Sequence, residues 1–194
     1  MKQVTWSHSS LKDFEGCARR HYEVKVLNNY PFQETEATRY GTSFHSAAEV
    51  YIRDGTPLPP EFEYAKGVLD ALLAKPGRKL CEYEMGLTKD MQPCGFRDKN
   101  VWFRGIADLL VIDGDKARII DYKTSKSSRY ADKKQLELLS LLTFKHFPRV
   151  KTIKAGLMFL VVKDLVAAEF NVDQQTEAWG KWIPETNQLE SAMI

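Results

Sequence analysis

Two carboxylates and an ammonium interrupt apolar runs in the stretch FRGIADLLVIDGDKARIIDYKTSK, residues 103 to 126. Asp108 stands between Gly105-Ile106-Ala107 and Leu109-Leu110-Val111-Ile112, and Asp121 follows Ile119-Ile120 and precedes Tyr122-Lys123. Such runs predict strands, with Asp113-Gly114-Asp115 as a hairpin turn between them. Strand side chains alternate, so Asp121 and Lys123 share a face. The turn decides where Asp108 falls. A Gly114-Asp115 loop places it opposite Asp121, an Asp113-Gly114 loop places it diagonally on the same face, and an odd-length loop sends it to the other side.

Two carboxylates about 5 Å apart at an effective dielectric near 20 repel by roughly 3 kcal/mol. Lys123 offsets part of this, and a divalent cation would reverse its sign. Carboxylate oxygens with open positions for water and phosphate suit Mg²⁺ or Mn²⁺. Such an ion polarises a phosphoryl oxygen and acidifies a bound water, which a neighbouring lysine can orient or deprotonate. The plainer alternative is a salt bridge on a solvated sheet face. Against it, Ile106, Leu110, Ala117 and Ile119 are expected on the same face, making it half-buried, where unpaired carboxylates are rarely placed without a task.

The chain that must position these groups has 194 residues and 22.3 kDa, the size of one domain with a full core. With 43% hydrophobic and 28% charged residues, its composition is that of a soluble globular protein. No apolar run approaches the roughly 18 residues of a membrane span, and MKQVTWSHSSLKDFEGC lacks a signal peptide's apolar core, so an intracellular, cytoplasmic protein with no membrane partner is expected. Cys17, Cys81 and Cys94 form no CxxC pair, which argues against a disulfide framework or zinc ribbon. A formal charge of +2 is nearly neutral, although KTSKSSRYADKK and KHFPRVKTIK are locally basic. Those runs are either solvated faces or phosphate contacts.

Along the chain, Ser9 or Ser10 can cap a first helix with Leu11, Phe14, Ala18 and Tyr22 on one side. A second helix is expected over EATRYGTSFHSAAEVYIRDG and a third over EFEYAKGVLDALLAK, with TPLPP between them. The period then changes: KLCEYEMGLT, VWFRGIADLLVI and KARIIDYKT predict strands. DKKQLELLSLLTFKHF returns to helix, IKAGLMFLVV and LVAAEFNV predict two more strands, and DQQTEAWGKWI closes as a helix. Trp179 and Trp182, three apart beside Ile183, suit core packing better than an exposed interface. The result is a mixed α/β (α+β) architecture, with residues 1–78 helical and 79–194 forming a sheet core with flanking helices.

The order Gly105-Ile106-Ala107-Asp108, a hairpin, Asp121-Tyr122-Lys123, then a helix carrying Gln135 resembles the PD-(D/E)XK nuclease superfamily. It is most similar to the RecB-type exonuclease branch, which includes CRISPR-associated and viral recombination nucleases. SHSSLKDFEGCARRHYEVKV is similar to that branch's first helix, and YGTSFHSAAEVYI to its helical motif with one histidine.

The resemblance implies a restriction-endonuclease-like core, a central mixed sheet with an antiparallel hairpin flanked by helices, as one domain over 1–194. It implies Asp108, Asp121, the Tyr122 carbonyl and His45 as metal ligands, Lys123 serving the attacking water, and Gln135 holding the lysine or a phosphate. Glu82 matches a recurrent acidic position, with Glu84 two residues on as its competitor. Arg19, Arg20, Lys126 and Arg129 are candidate DNA contacts. The implied activity is Mg²⁺- or Mn²⁺-dependent exonucleolytic hydrolysis of single- or double-stranded DNA ends leaving 5′ phosphates, in recombination, repair, replication or viral DNA processing. The expected setting is the cytoplasm, the host's if the protein is viral. Helicases, single-strand-binding proteins and recombination proteins are the implied partners. A structure-specific or nicking endonuclease, or a non-catalytic DNA-binding partner of a recombination complex, are the alternatives. Two departures stand out. Leu139 occupies the position where the branch usually has tyrosine, and no cysteine follows Cys94, so an iron–sulfur cluster of the branch's four-cysteine pattern is not expected.

Overall fold

The computed structural model describes residues 4–31, 33–129 and 131–192. Helices come first: α1 (His8–Gly16), α2 (Ala18–His21), α3 (Glu36–Asp54) and α4 (Lys66–Leu73). Then follow β1 (Arg78–Thr88), β2 (Pro93–Cys94), β3 (Val101–Asp113), β4 (Lys116–Lys123), α5 (Lys133–His146), β5 (Thr152–Phe159), β6 (Asp164–Asn171) and α6 (Gln175–Ala192). The strands form one six-stranded sheet in the order β2-β1-β3-β4-β5-β6. All neighbours run antiparallel except β4 and β5, which are parallel because α5 carries the chain back between them. None of the described helices is long and apolar enough to cross a membrane.

Each sheet face has its own core. One side packs Ala107, Leu110, Ala117 and Ile119 against α5 and α6. The other packs Leu109, Val111, Ile120 and Tyr122 against α3 and α4. Trp179 and Trp182 are buried in the first of these cores, as their spacing suggests. In the same layer, Trp6 and Trp102 both donate indole N–H groups to Oε1 of Glu190 on α6, at 3.3 and 2.9 Å.

Local chemistry explains where elements begin and end. Ser7, rather than Ser9 or Ser10, caps α1; Ser10 is its reciprocal partner, at the third helical position. The helix does not run on through Tyr22. Cys17 is extended (φ −167°, ψ 104°) after low-propensity Gly16, so the chain restarts out of phase and Ala18 and Tyr22 are exposed. Thr35 caps α3, and Gly55 ends it at φ 71°, a conformation that favours glycine. The third expected helix opens as a 3₁₀ turn over Pro60–Ala65 and becomes α-helical at Lys66. The short β2 strand and the passage of α6 through Pro184 were not expected from the sequence. Beyond Pro184, burial of Thr186 and Leu189 and the bonds to Glu190 hold the helix together.

Candidate active site

The hairpin pairs Asp113 with Lys116, leaving Gly114-Asp115 as a two-residue loop. That register sets Asp108 opposite Asp121, but the ladder stops one rung short, at Leu109–Ile120. Beyond that rung β4 continues on β5 alone, to Lys123–Phe159. The Tyr122 N–H is bonded instead by the Asp108 side chain, whose Oδ2 accepts it at 2.6 Å. The sheet forks at its two buried aspartates.

A matching irregularity lies on the other side of β3. β1 and β3 keep one register from Arg78–Ile112 to Leu87–Phe103, yet the Glu82–Asp108 rung is unpaired. Glu82 sits at φ 45°, which an L side chain rarely adopts. Alternation flips there in both strands: Leu80 and Tyr83 face the same core, as do Ala107 and Leu110. This overturns the expectation that Ile106 shares the half-buried face with Leu110, because Ile106 lies before the flip and is exposed. It also separates the two glutamates. Glu82 turns toward α3, whereas Glu84 stays exposed and meets Arg97 at 3.4 Å.

From α3, His45 enters this fork. Its Nδ1 lies 3.4 Å from Asp108 Oδ1 and 3.5 Å from Glu82 Oε1, and its Nε2 lies 3.2 Å from the Tyr122 carbonyl. Among the described residues, His45, Glu82 and Asp108 form the group whose ligand atoms all lie within 4.8 Å of one another. Burial opposes an imidazolium here, but hydrogen bonds and charge from Asp108 and Glu82 outweigh it and push His45 up to about 10. The protonated ring thus supplies the positive charge that two carboxylates require.

Asp121 lies outside that group. Its Oδ1 accepts a hydrogen bond from Gln135 Nε2 on the first turn of α5, and its Oδ2 pairs with Lys123 Nζ at 2.7 Å. Lys123 Nζ also donates to Gln135 Oε1 at 3.1 Å, closing a three-residue ring. Gly105 permits this proximity: a Cβ there would come within 2.8 Å of Leu142 and 2.9 Å of Leu139, so its absence lets α5 lie close to β3. Burial, reinforced by the Asp108 charge, pushes Asp121 up to about 6 despite Lys123 and His45.

The donors fit a hard divalent ion: one imidazole nitrogen, carboxylate oxygens and a backbone carbonyl beside them. Asp121 Oδ2 adds a second sign, since it is buried with no aligned hydrogen bond among the described residues, although the Lys123 ammonium lies 2.7 Å away. The remaining candidates are more distant in role. Arg19 and Arg20 are exposed on α2, and Lys126 and Arg129 are exposed between β4 and α5. Lys126 borders a depression of about 400 Å³ that also reaches Lys123 and Gln135. The Glu82 backbone reversal escapes sequence reading, because a glutamate within a strand run carries no glycine-like signal for it.

Residues 5–193 match the family model of the PD-(D/E)XK nuclease superfamily. Among solved structures, the chain is similar to a protein described as "Putative exonuclease" from Eubacterium rectale, with a TM-score of 0.54 and 13% identity over 97% of this chain and 82% of that one. This likeness bears on the fold. A second structure, of SSO0001, aligns at TM-score 0.41 and 13% identity over 88% of this chain and 68% of that one, and carries no argument. No curated protein matches the sequence.

Proposed function

The chain belongs to the PD-(D/E)XK nuclease superfamily, and from that premise we propose that it is a Mg²⁺- or Mn²⁺-dependent DNA exonuclease leaving 5′ phosphates. One observation carries the reading. Ligand-bearing side chains from α3, β1 and β3 converge within 4.8 Å, beside a lysine held against a buried aspartate. His45, Glu82 and Asp108 would hold the ion, with the Tyr122 carbonyl and Asp121 completing the set. A bound ion would supply Lewis acidity toward a phosphoryl oxygen and an acidified water.

The chain's own groups do the rest. Lys123, fixed by Asp121 and Gln135, orients the attacking water and balances negative charge building on the phosphate. Water adds to phosphorus, the bond to the 3′ oxygen breaks, and the phosphate stays on the 5′ side. Gln135 touches both partners of the ion pair and acts as a positioning residue. Exonuclease action is preferred over endonuclease action because the helical histidine motif resembles that of the RecB-type branch.

End-labelled linear DNA and circular DNA, incubated with Mg²⁺, Mn²⁺ or EDTA, test the reading. Metal-dependent loss of linear DNA only, abolished by Lys123→Ala, is expected. Cutting of circles would turn the assignment to endonuclease, and DNA binding without cleavage under any metal would overturn catalysis.

A further inference from the structure

Beside Lys123 and Gln135, on the α5 side of the fork, lies a cavity of about 580 Å³. That volume falls within the roughly 300–1,000 Å³ typical of small-ligand sites. Its character differs sharply from the metal side. The depression against His45 is lined by Glu49 and Glu82, whereas no carboxylate lines this one among the described residues. Exposed Ile106 supplies an apolar surface beside a floor of buried Leu138, Leu139 and Leu142, and Arg104 supplies positive charge with Lys12 and Lys123, which pair with Asp132 and Asp121 behind the lining. Half-buried Phe96 adds an aromatic plane with the Arg104 guanidinium 4.6 Å from its centroid. Arg104 is held there by a 3.3 Å bond from Nη1 to the Phe96 carbonyl.

An apolar surface, a preassembled aromatic–guanidinium stack and a lining free of carboxylates among the described residues are what an unstacked base with its backbone phosphate requires. A paired base cannot offer its faces to such a pocket. We propose that this cavity binds an unpaired nucleobase next to the scissile phosphate, making the substrate at the point of cleavage single-stranded. The inference rests on the nuclease reading, since Lys123 and Gln135 join the cavity to the proposed catalytic centre. Phe96 and Arg104 are then specificity-determining residues.

Short single-stranded oligonucleotides, each with one abasic residue at a successive position, test this by competing in EDTA with a labelled oligonucleotide for the intact protein. Removal of the base at one position should weaken binding roughly tenfold, the scale of one lost base–aromatic stack. Phe96→Ala should lose a similar factor on the fully based oligonucleotide and nothing more on that abasic one, with Phe96→Tyr restoring affinity. Arg104→Gln provides a second variant should Phe96→Ala fold poorly, and the abasic series on the wild type needs no variant. Equal affinity for every abasic oligonucleotide, or additive losses, would overturn the pocket. The same oligonucleotides with Mn²⁺ separate the two readings. Cleavage without a position-specific abasic effect leaves the nuclease and removes the pocket. The abasic effect without cleavage does the reverse, and neither binding nor cleavage removes both.

Discussion

The Asp108 carboxylate replaces a rung of the sheet: its Oδ2 takes the Tyr122 amide hydrogen at 2.6 Å, while Oδ1 lies 3.4 Å from the His45 ring. One side chain therefore serves structure with one oxygen and the proposed metal centre with the other. Asp108→Ala should abolish cleavage and leave a buried N–H unpaired, costing about 1–3 kcal/mol. Asp108→Asn keeps a carbonyl oxygen and should be nearly as inactive but more stable than the alanine variant. Urea denaturation alongside a cleavage assay checks this, and equal stability of the two variants would refute the dual role.

His45 links stability to pH in the metal-free protein. Its folded value, about 10, exceeds its ordinary 6.5, so its contribution is complete below pH 6.5 and is lost as pH rises toward about 10. Melting temperatures in EDTA should fall across that window more steeply in the wild type than in His45→Gln. Parallel curves would contradict the imidazolium arrangement.

Metal binding should release protons. A ligating imidazole must be neutral, so Mn²⁺ binding near neutral pH is expected to displace about one proton from His45. Calorimetry in buffers of unequal ionisation enthalpy reads this directly; enthalpies independent of buffer would disprove it. Affinity should also decline as pH drops through about 6, where Asp121 becomes neutral.

Gln135 bonds to both Asp121 and Lys123, so its truncation loosens the lysine without removing it. Gln135→Ala is expected to lower kcat by roughly 10–100-fold, as loss of an outer-shell partner does, with little change in KM. A change confined to KM would place Gln135 in substrate binding.

Glu82 holds a positive φ inside a strand. Glu82→Gly should be more stable than Glu82→Ala by about 1 kcal/mol, reversing the usual preference at strand positions. Both should bind Mn²⁺ less tightly than the wild type. If alanine proves the more stable, the backbone there is not left-handed.

The sequence carried much of this because its signals were local. Gly114-Asp115 between two apolar runs limited the hairpin to a few registers, and one of those brings Asp108 opposite Asp121. The helix with His45 was legible from the apolar period of Phe44, Ala47, Ala48 and Tyr51 and from Gly55 at its end, while its Thr35 cap went unread. What escaped were events set by tertiary contact. Glu82 and Glu84 differ in fate only through a backbone reversal that no residue type announces. The break at Cys17 hides in a continuous helical pattern, and β2 is too short to show alternation. The Phe96–Arg104 stack joins a loop to a strand and has no spacing rule.

Glu190 receives bonds from Trp6 and Trp102, so the final helix fastens the opening segment to the middle of the sheet. A chain emerging during synthesis has no such fastening until α6 has been made. The buried tryptophan layer must therefore wait for α6, and the sheet made before it is exposed to misassembly in the interval.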